Sequence, residues 1–263
     1  MITSTRIGRY GNLCNSMFQF AAVIGMAKKT GFEVAIPHNE TYFDVNYNCN
    51  NTSIWDGFDI SVPQLDLGIL KFKEVEFPFE FVDGRVEDFT DMIGYFQTEK
   101  YFDNAREEVR DQFKFKQSAI DGLDLSKYPD PSQCTALHIR LGDYESKRNF
   151  HPSQPAVYWQ EAMEAAQQDH VVIFSDDKDK AEKMFGNNKR VIYSDDSDPF
   201  VALYHMSLCK NNIICNSTFG WWGAWLGEAN AVDKVVVAPK LWFGPGHTSL
   251  NPKDIIPERW LKL

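Results

Sequence analysis

The stretch His138-Ile139-Arg140-Leu141-Gly142-Asp143-Tyr144 ends an apolar run that opens at Cys134-Thr135-Ala136-Leu137. A short β-compatible segment closed by Gly-Asp predicts a strand and then a turn, so a histidine, an arginine and an aspartate gather at one strand end. Arginine stays charged at any working pH and presents a bidentate fork to phosphate or carboxylate, which makes Arg140 the natural anion ligand of the chain. Three more polar groups follow apolar runs in the same way: Ser175-Asp176-Asp177, Ser194-Asp195-Asp196 and Asn216-Ser217-Thr218. The last of these opens a helical window, where hydroxyls and free backbone N–H groups suit a second anionic oxygen. With Arg140 it describes a diphosphate cradle that needs no G-x-x-x-x-G-K-[ST] loop, a pattern this chain lacks.

Each group also has a structural reading. Ser217 or Thr218 fits a simple N-cap, and Asp176 or Asp177 favours the start of the next helix. His138 fits a hydrogen-bonded core residue, and Asp143 can serve Arg140 as an ionic partner. Two D-x-D spacings, Asp177-Lys178-Asp179 and Asp196-Ser197-Asp198, could hold Mg²⁺ or Mn²⁺ against substrate phosphates, although an acidic chain produces such spacings by chance. The rings of Phe219, Trp221, Trp222 and Trp225 offer a sugar-stacking face or core packing; their helical spacing requires packing for at least part of the group.

These residues need a scaffold that places strand ends side by side. From Cys134 onward the apolar runs CTALHIR, HVVIFS, RVIYS, NIICNS and KVVVAP alternate with helical windows near 155–168, 180–185, 199–210 and 218–228. Continuous apolar strands alternating with helices predict a parallel sheet covered on both faces, and in such sheets ligands bind outside the carboxyl ends of the strands. The polar clusters are therefore expected on one rim. Upstream, Met17 to Lys29 predicts a buried helix stopped at Gly31, preceded by the loop GRYGNLCNS and followed by the strand FEVAIP. The span 39–87 is irregular. Tyr128 to Ser132 is the best linker candidate, dividing the chain into lobes 1–130 and 131–263.

A chain of 263 residues, 43% hydrophobic, can bury one large core or two smaller ones. Its net charge of −10 excludes a nucleic-acid partner, which requires a basic surface. The five cysteines (Cys14, Cys49, Cys134, Cys209, Cys215) form no C-x-x-C pair and point to a reducing, cytoplasmic setting. No signal core is visible at the start, and no stretch reaches the roughly 18 apolar residues of a transmembrane segment.

Taken in order, these motifs form a larger pattern. Gly11-Asn12, Met17-Phe18-Gln19-Phe20-Ala21, GYFQTEKYF at 94–102, HIRLGDY, FSDD, CNSTFGWWGAWL, VAPKLWF and DIIPERW together resemble the α-1,2-fucosyltransferases of glycosyltransferase family 11. The resemblance implies an α/β, GT-B-like fold, two Rossmann-type lobes with the active site in the cleft between them. The N-terminal lobe would face the acceptor and the C-terminal lobe would bind GDP-fucose. The implied reaction is inverting transfer of L-fucose from GDP-β-L-fucose to a glycan hydroxyl, the 2-OH of a galactose, with no metal and no cofactor.

By that resemblance Arg140 meets the β-phosphate, and Asp143 is the first candidate for the general base, with orientation of Arg140 as its alternative role. His138, Ser175, Asp176, Asp177, Asn216, Ser217, Thr218 and Phe219 would hold GDP-fucose, a carboxylate of the Asp176/Asp177 turn accepting from guanine N–H groups. Asn12, Gln19 and Trp221 would contact the sugar or acceptor. The chain departs from the family pattern at Leu141, where a second arginine is usual, and in the extra residues between Asn12 and Met17. Two other functions remain open on the residues alone: a metal-dependent glycosyltransferase using another nucleotide sugar, and a non-catalytic glycan- or nucleotide-binding module.

Overall fold

A computed structural model describes residues 1–37, 52–65, 70–84, 86–142, 144, 146–186 and 188–263. Asp143 and Cys49 lie outside the described residues. Contacts divide the chain into two compact units, Met1–Ala119 with Asn251–Pro257, and Ile120–Leu250 with Glu258–Leu263.

The first unit contains β1 (Ile2–Thr3), α1 (Leu13–Thr30), β2 (Ile36–Pro37), α2 (Ile54–Gly57), β3 (Gln64–Leu65), β4 (Lys73–Glu76), β5 (Thr90–Ile93) and α3 (Arg106–Gln112); α4 (Gln117–Ile120) runs into the second. β1, β5 and β4 form a parallel sheet in that order, and β2 pairs with β3, also parallel. α1 is apolar on nearly every side, so almost its whole surface is buried. Gly31, at φ 76°, closes it with an N–H that donates to Ala27 O at 2.8 Å, as the sequence predicts. The helix starts a full turn before Met17, because Asn12 O accepts from the N–H groups of Asn15 and Ser16. Ser16 Oγ in turn accepts from Gly8 N at 3.0 Å, so polar residues that read as loop fasten the loop to the first turn.

The predicted strand FEVAIP is shorter than its pattern: Val34 bridges Ile2, and only Ile36–Pro37 pair further. Inside the span read as irregular, β4 forms from Lys-Glu-Val-Glu. It is a mostly exposed edge strand, so it carries no apolar alternation to betray it.

The second unit holds β6 (Cys134–Ile139), α5 (Ala156–Ala166), β7 (His170–Ser175), α6 (Lys178–Phe185), β8 (Val191–Tyr193), α7 (Pro199–Leu208), β9 (Asn211–Ile214), α8 (Thr218–Gly227), β10 (Val236–Ala238) and β11 (Leu261–Lys262). Its sheet has the order β11-β10-β9-β6-β7-β8 with every pairing parallel. From β6 the chain winds outward through β7 and β8, then returns to the other side of β6 for β9, β10 and β11. This is the doubly wound Rossmann order, and its direction reverses between β6 and β9. Tyr128 to Ser132, the expected linker, lies inside this unit: Asp130 caps a short 3-10 turn, and Tyr128 Oη accepts from Asp195 N at 3.1 Å.

Candidate functional site

The register decides which strand ends meet. His138 lies opposite Phe174 on one side and Ile214 on the other, and Ile139 lies opposite Ser175. The segments that follow, Arg140 to Gly142, Asp176–Asp177 and Cys215 to Thr218, therefore leave the same carboxyl edge at the reversal between β6 and β9. Arg140 Nε pairs with Asp176 Oδ2 at 3.1 Å. The same carboxylate accepts from Leu141 N at 2.7 Å through Oδ1 and from Gly142 N at 3.0 Å through Oδ2.

Across the reversal, Ser217 is the N-cap of α8, its Oγ accepting from Phe219 N at 3.4 Å, and Thr218 opens the helix. The Asn216 amide is buried: Oδ1 accepts from Gln154 Nε2 and Nδ2 donates to Trp242 O, both at 3.0 Å. Tyr144 Oη donates to Asn216 O at 3.0 Å. Tyr144 and Gln154 thus hold the turn before α8. Neither carries a strand-end signal, although Tyr144 closes the HIRLGDY stretch.

His138 is buried between Cys215, whose Sγ is 3.5 Å from Nδ1, and the Phe219 ring, centred 5.3 Å away. Burial, reinforced by the Arg140 charge, lowers its pKa to about 3, so the imidazole is neutral at working pH. Burial pushes the Cys215 thiol up to about 12, so it is not a thiolate. A Cβ on Gly220 would sit 2.8 Å from His138 Nδ1; the absent side chain is what lets α8 start this close to β6.

The remaining acidic residues have local work. Ser175 Oγ accepts from Asp177 N at 3.1 Å. Asp177 caps α6 by accepting from Lys180 N at 3.1 Å and pairs with Lys180 Nζ at 2.9 Å. The hydrogen bond from Lys180 keeps its carboxyl below the usual range. In the second D-x-D, Asp196 Oδ2 accepts from Ser194 Oγ and lies against His205 Nδ1, each at 2.8 Å, while Asp198 caps α7 at Phe200 N and Val201 N. Among the described residues, no group of three or more His, Cys, Asp or Glu side chains is placed to hold a metal ion.

Trp221 corrects an expectation. Its ring has no solvent exposure and packs against Trp222, Trp225 and Trp260, so it belongs to the core and presents no face to a sugar. Leu141 is also buried, in the cluster with Ile139, Tyr158 and Trp159. In the first unit, Asn12 is exposed at the N-cap of α1 and makes no side-chain cap bond. Gln19, with no exposure, donates from Nε2 to Tyr10 O at 3.1 Å. Tyr10 stacks on Tyr95 at 5.8 Å, and Gln97 Nε2 donates to Asn15 Oδ1 at 2.8 Å, so the loops after β1 and β5 are joined around the start of α1.

The family model for Glycosyl transferase family 11 matches residues 3–261. The chain belongs to this family. An O-antigen biosynthesis glycosyltransferase, WbnK, of Escherichia coli is 33% identical over 187 residues, which is 65% of this chain and 60% of that protein. An α-1,2-colitosyltransferase of Escherichia coli is 28% identical over 212 residues, 76% of this chain and 71% of that one. Among solved structures, the NodZ α-1,6-fucosyltransferase of Bradyrhizobium, co-crystallised with GDP, aligns with a TM-score of 0.55 at 14% identity. That alignment covers 84% of this chain and 90% of NodZ. The likeness shows the fold, and the α/β, GT-B-like class implied by the motifs holds for this family 11 chain. Among its described residues no helix is long and apolar enough to cross a membrane, and Cys14, Cys134, Cys209 and Cys215 are buried free thiols.

Proposed function

We propose that this family 11 chain is an inverting fucosyltransferase that moves L-fucose from GDP-β-L-fucose to a glycan hydroxyl, the 2-OH of a galactose. The observation that carries this reading is the rim itself: Arg140 at the carboxyl end of β6 and the Ser217/Thr218 helix start after β9 flank the point where strand order reverses. An arginine and a helix N-terminus at that position suit a nucleoside diphosphate. The α-1,2 linkage is supported by the relative named for α-1,2 transfer, and GDP as the carrier by the fold neighbour crystallised with it.

In this reading the acceptor hydroxyl attacks the anomeric carbon from the face opposite GDP. The C–O bond to the diphosphate breaks as the new glycosidic bond forms, and the configuration inverts. Negative charge grows on the departing diphosphate, where Arg140 and the donors at the start of α8 meet it; each such preorganised donor contributes about 3 to 4 kcal/mol. Asp143 is the proposed acceptor of the hydroxyl proton. Asn12 is proposed to contact the sugar side; Gln19, fully buried, is proposed to reach it only through its Oε1, which has no partner among the described residues. Ser175, Asp177 and Phe219 are proposed to border the nucleotide. No metal is required: Asp177 and Asp198 cap helices and Asp196 is bonded to Ser194 and His205, which supports reading the D-x-D spacings as structural. The free thiols support a cytoplasmic location.

The test is GDP release from GDP-fucose on galactose-terminated acceptors in EDTA, with the native chain and Arg140→Ala. Acceptor-dependent release that falls by about 10² to 10³ in the variant is expected. Chelator-sensitive turnover restored by Mn²⁺ would defeat the metal-free reading. GDP binding without transfer to any acceptor would favour a binding module. The colitosyltransferase relative gives one second reading a specific basis, a colitose donor in place of fucose, and running both donors in the same assay decides between them.

A further inference from the structure

The Asp176 carboxylate is committed to the turn that carries Arg140. Its Oδ1 accepts from Leu141 N at 2.7 Å, and its Oδ2 accepts from Gly142 N at 3.0 Å and forms an ion pair with Arg140 Nε at 3.1 Å. Three features fix this arrangement independently. The parallel register sets Ile139 opposite Ser175, so residues 140 and 176 emerge side by side. Asp176 itself is held between anchored neighbours, because Ser175 Oγ accepts from Asp177 N at 3.1 Å and Asp177 caps α6. The turn also closes tightly on the carboxylate: a Cβ on Gly142 would lie 2.6 Å from Asp176 Oδ2, so a larger residue there would push the two apart.

A carboxylate that already receives donors on both oxygens is a poor candidate for reading the donor edge of guanine, the role implied by family resemblance. A carboxylate that pairs with a guanidinium Nε and accepts from the two following backbone N–H groups instead fixes where that guanidinium sits. We propose that Asp176 is the positioning residue of Arg140: it sets the guanidinium for the diphosphate and takes no part in choosing the base. This rests on the nucleotide-sugar reading of the rim.

The experiment is calorimetric binding of GDP and IDP to the native chain, Arg140→Ala, Asp176→Ala, Asp176→Asn and the double variant Arg140→Ala/Asp176→Ala. IDP lacks only the 2-amino group of guanine, so the GDP-to-IDP affinity ratio reports on the base alone. Asp176→Ala is expected to weaken GDP and IDP by the same factor, about tenfold to a hundredfold, since a misplaced group costs on that scale. The loss is expected to vanish in the Arg140→Ala background, because a residue acting through Arg140 has nothing left to position. Asp176→Asn keeps the shape while turning an N–H donor toward neighbouring donors. It is expected to weaken both nucleotides and to keep their ratio, and it preserves the test if the alanine variant folds poorly. A GDP-to-IDP ratio that collapses in either Asp176 variant, or losses that multiply in the double variant, would overturn the positioning role. A native chain that binds neither nucleotide would overturn the reading of the rim and this role with it, so the two failures look different.

Discussion

At the rim of the second unit, polar side chains are bonded to their own protein: Asp176 to the turn after β6, Asn216 to Gln154 and Trp242, Ser217 and Asp177 to the helices they cap. In the first unit, the region around β1 and the start of α1 is different. Thr3 Oγ1, Ser4 Oγ and Gln19 Oε1 are buried with no hydrogen-bond partner among the described residues. A rim whose groups are already oriented needs little rearrangement when charge develops on a leaving diphosphate. Buried acceptors without partners carry a desolvation cost that native structures rarely tolerate without a reason. The contrast has a consequence for mutation. Changes at the second unit's rim should disturb folding together with any activity, whereas changes around the start of α1 should separate the two.

The largest effect is expected at Trp221. Replacing it with alanine opens a void between Trp222, Trp225 and Trp260 and should cost about 3 to 5 kcal/mol in unfolding free energy. Denaturant unfolding measures this directly. A variant that kept its midpoint but lost transfer would return Trp221 to the sugar and erase the contrast.

His138 should give the next effect, through pH. Its folded pKa of about 3 lies below the ordinary 6.5, so as pH falls below 6.5 the unfolded chain binds a proton that the folded chain refuses. Its contribution is complete above pH 6.5 and is lost progressively down to pH 3. Between pH 6.5 and 5, where carboxylates remain largely ionised, the loss should approach one proton's slope, about 1.4 kcal/mol per pH unit. His138→Gln should flatten that slope. An unchanged slope in the variant would place the proton elsewhere.

The second unit was legible because its strands are buried on both faces and read as continuous apolar runs, as in Cys134–Ile139 and His170–Ser175. The charged edge strand Lys73–Glu76 was not, since an exposed edge imposes no apolar pattern. Arg140 and the Asn216 to Thr218 turn could be placed on one rim from the strand ends alone. The pairing of Arg140 with Asp176 could not, because it depends on the register of β6 against β7, which no local pattern encodes. Trp221 was misread for a related reason. Gly220 to Gly227 are all buried, so α8 is covered on every side, and helical spacing says nothing about which aromatic faces what when no face is exposed.

The smallest structural effect, and the sharpest test of the contrast, is expected at Gln19. Gln19→Leu removes the bond from Nε2 to Tyr10 O, a loss of about 1 kcal/mol, but it also removes the buried Oε1 that has no partner among the described residues. The two changes oppose each other, so unfolding free energy should move by less than about 1 kcal/mol. If Gln19 contacts the sugar side, kcat/KM for fucose transfer should nevertheless fall by at least tenfold, roughly the 1.4 kcal/mol expected for one lost hydrogen bond to substrate. The opposite outcome, a drop of about 2 kcal/mol or more in stability with transfer unchanged, would make Gln19 an anchor for the Tyr10 loop. The start of α1 would then bind its polar groups for structure as the rim of the second unit does, and the division of labour drawn between the two regions would fail.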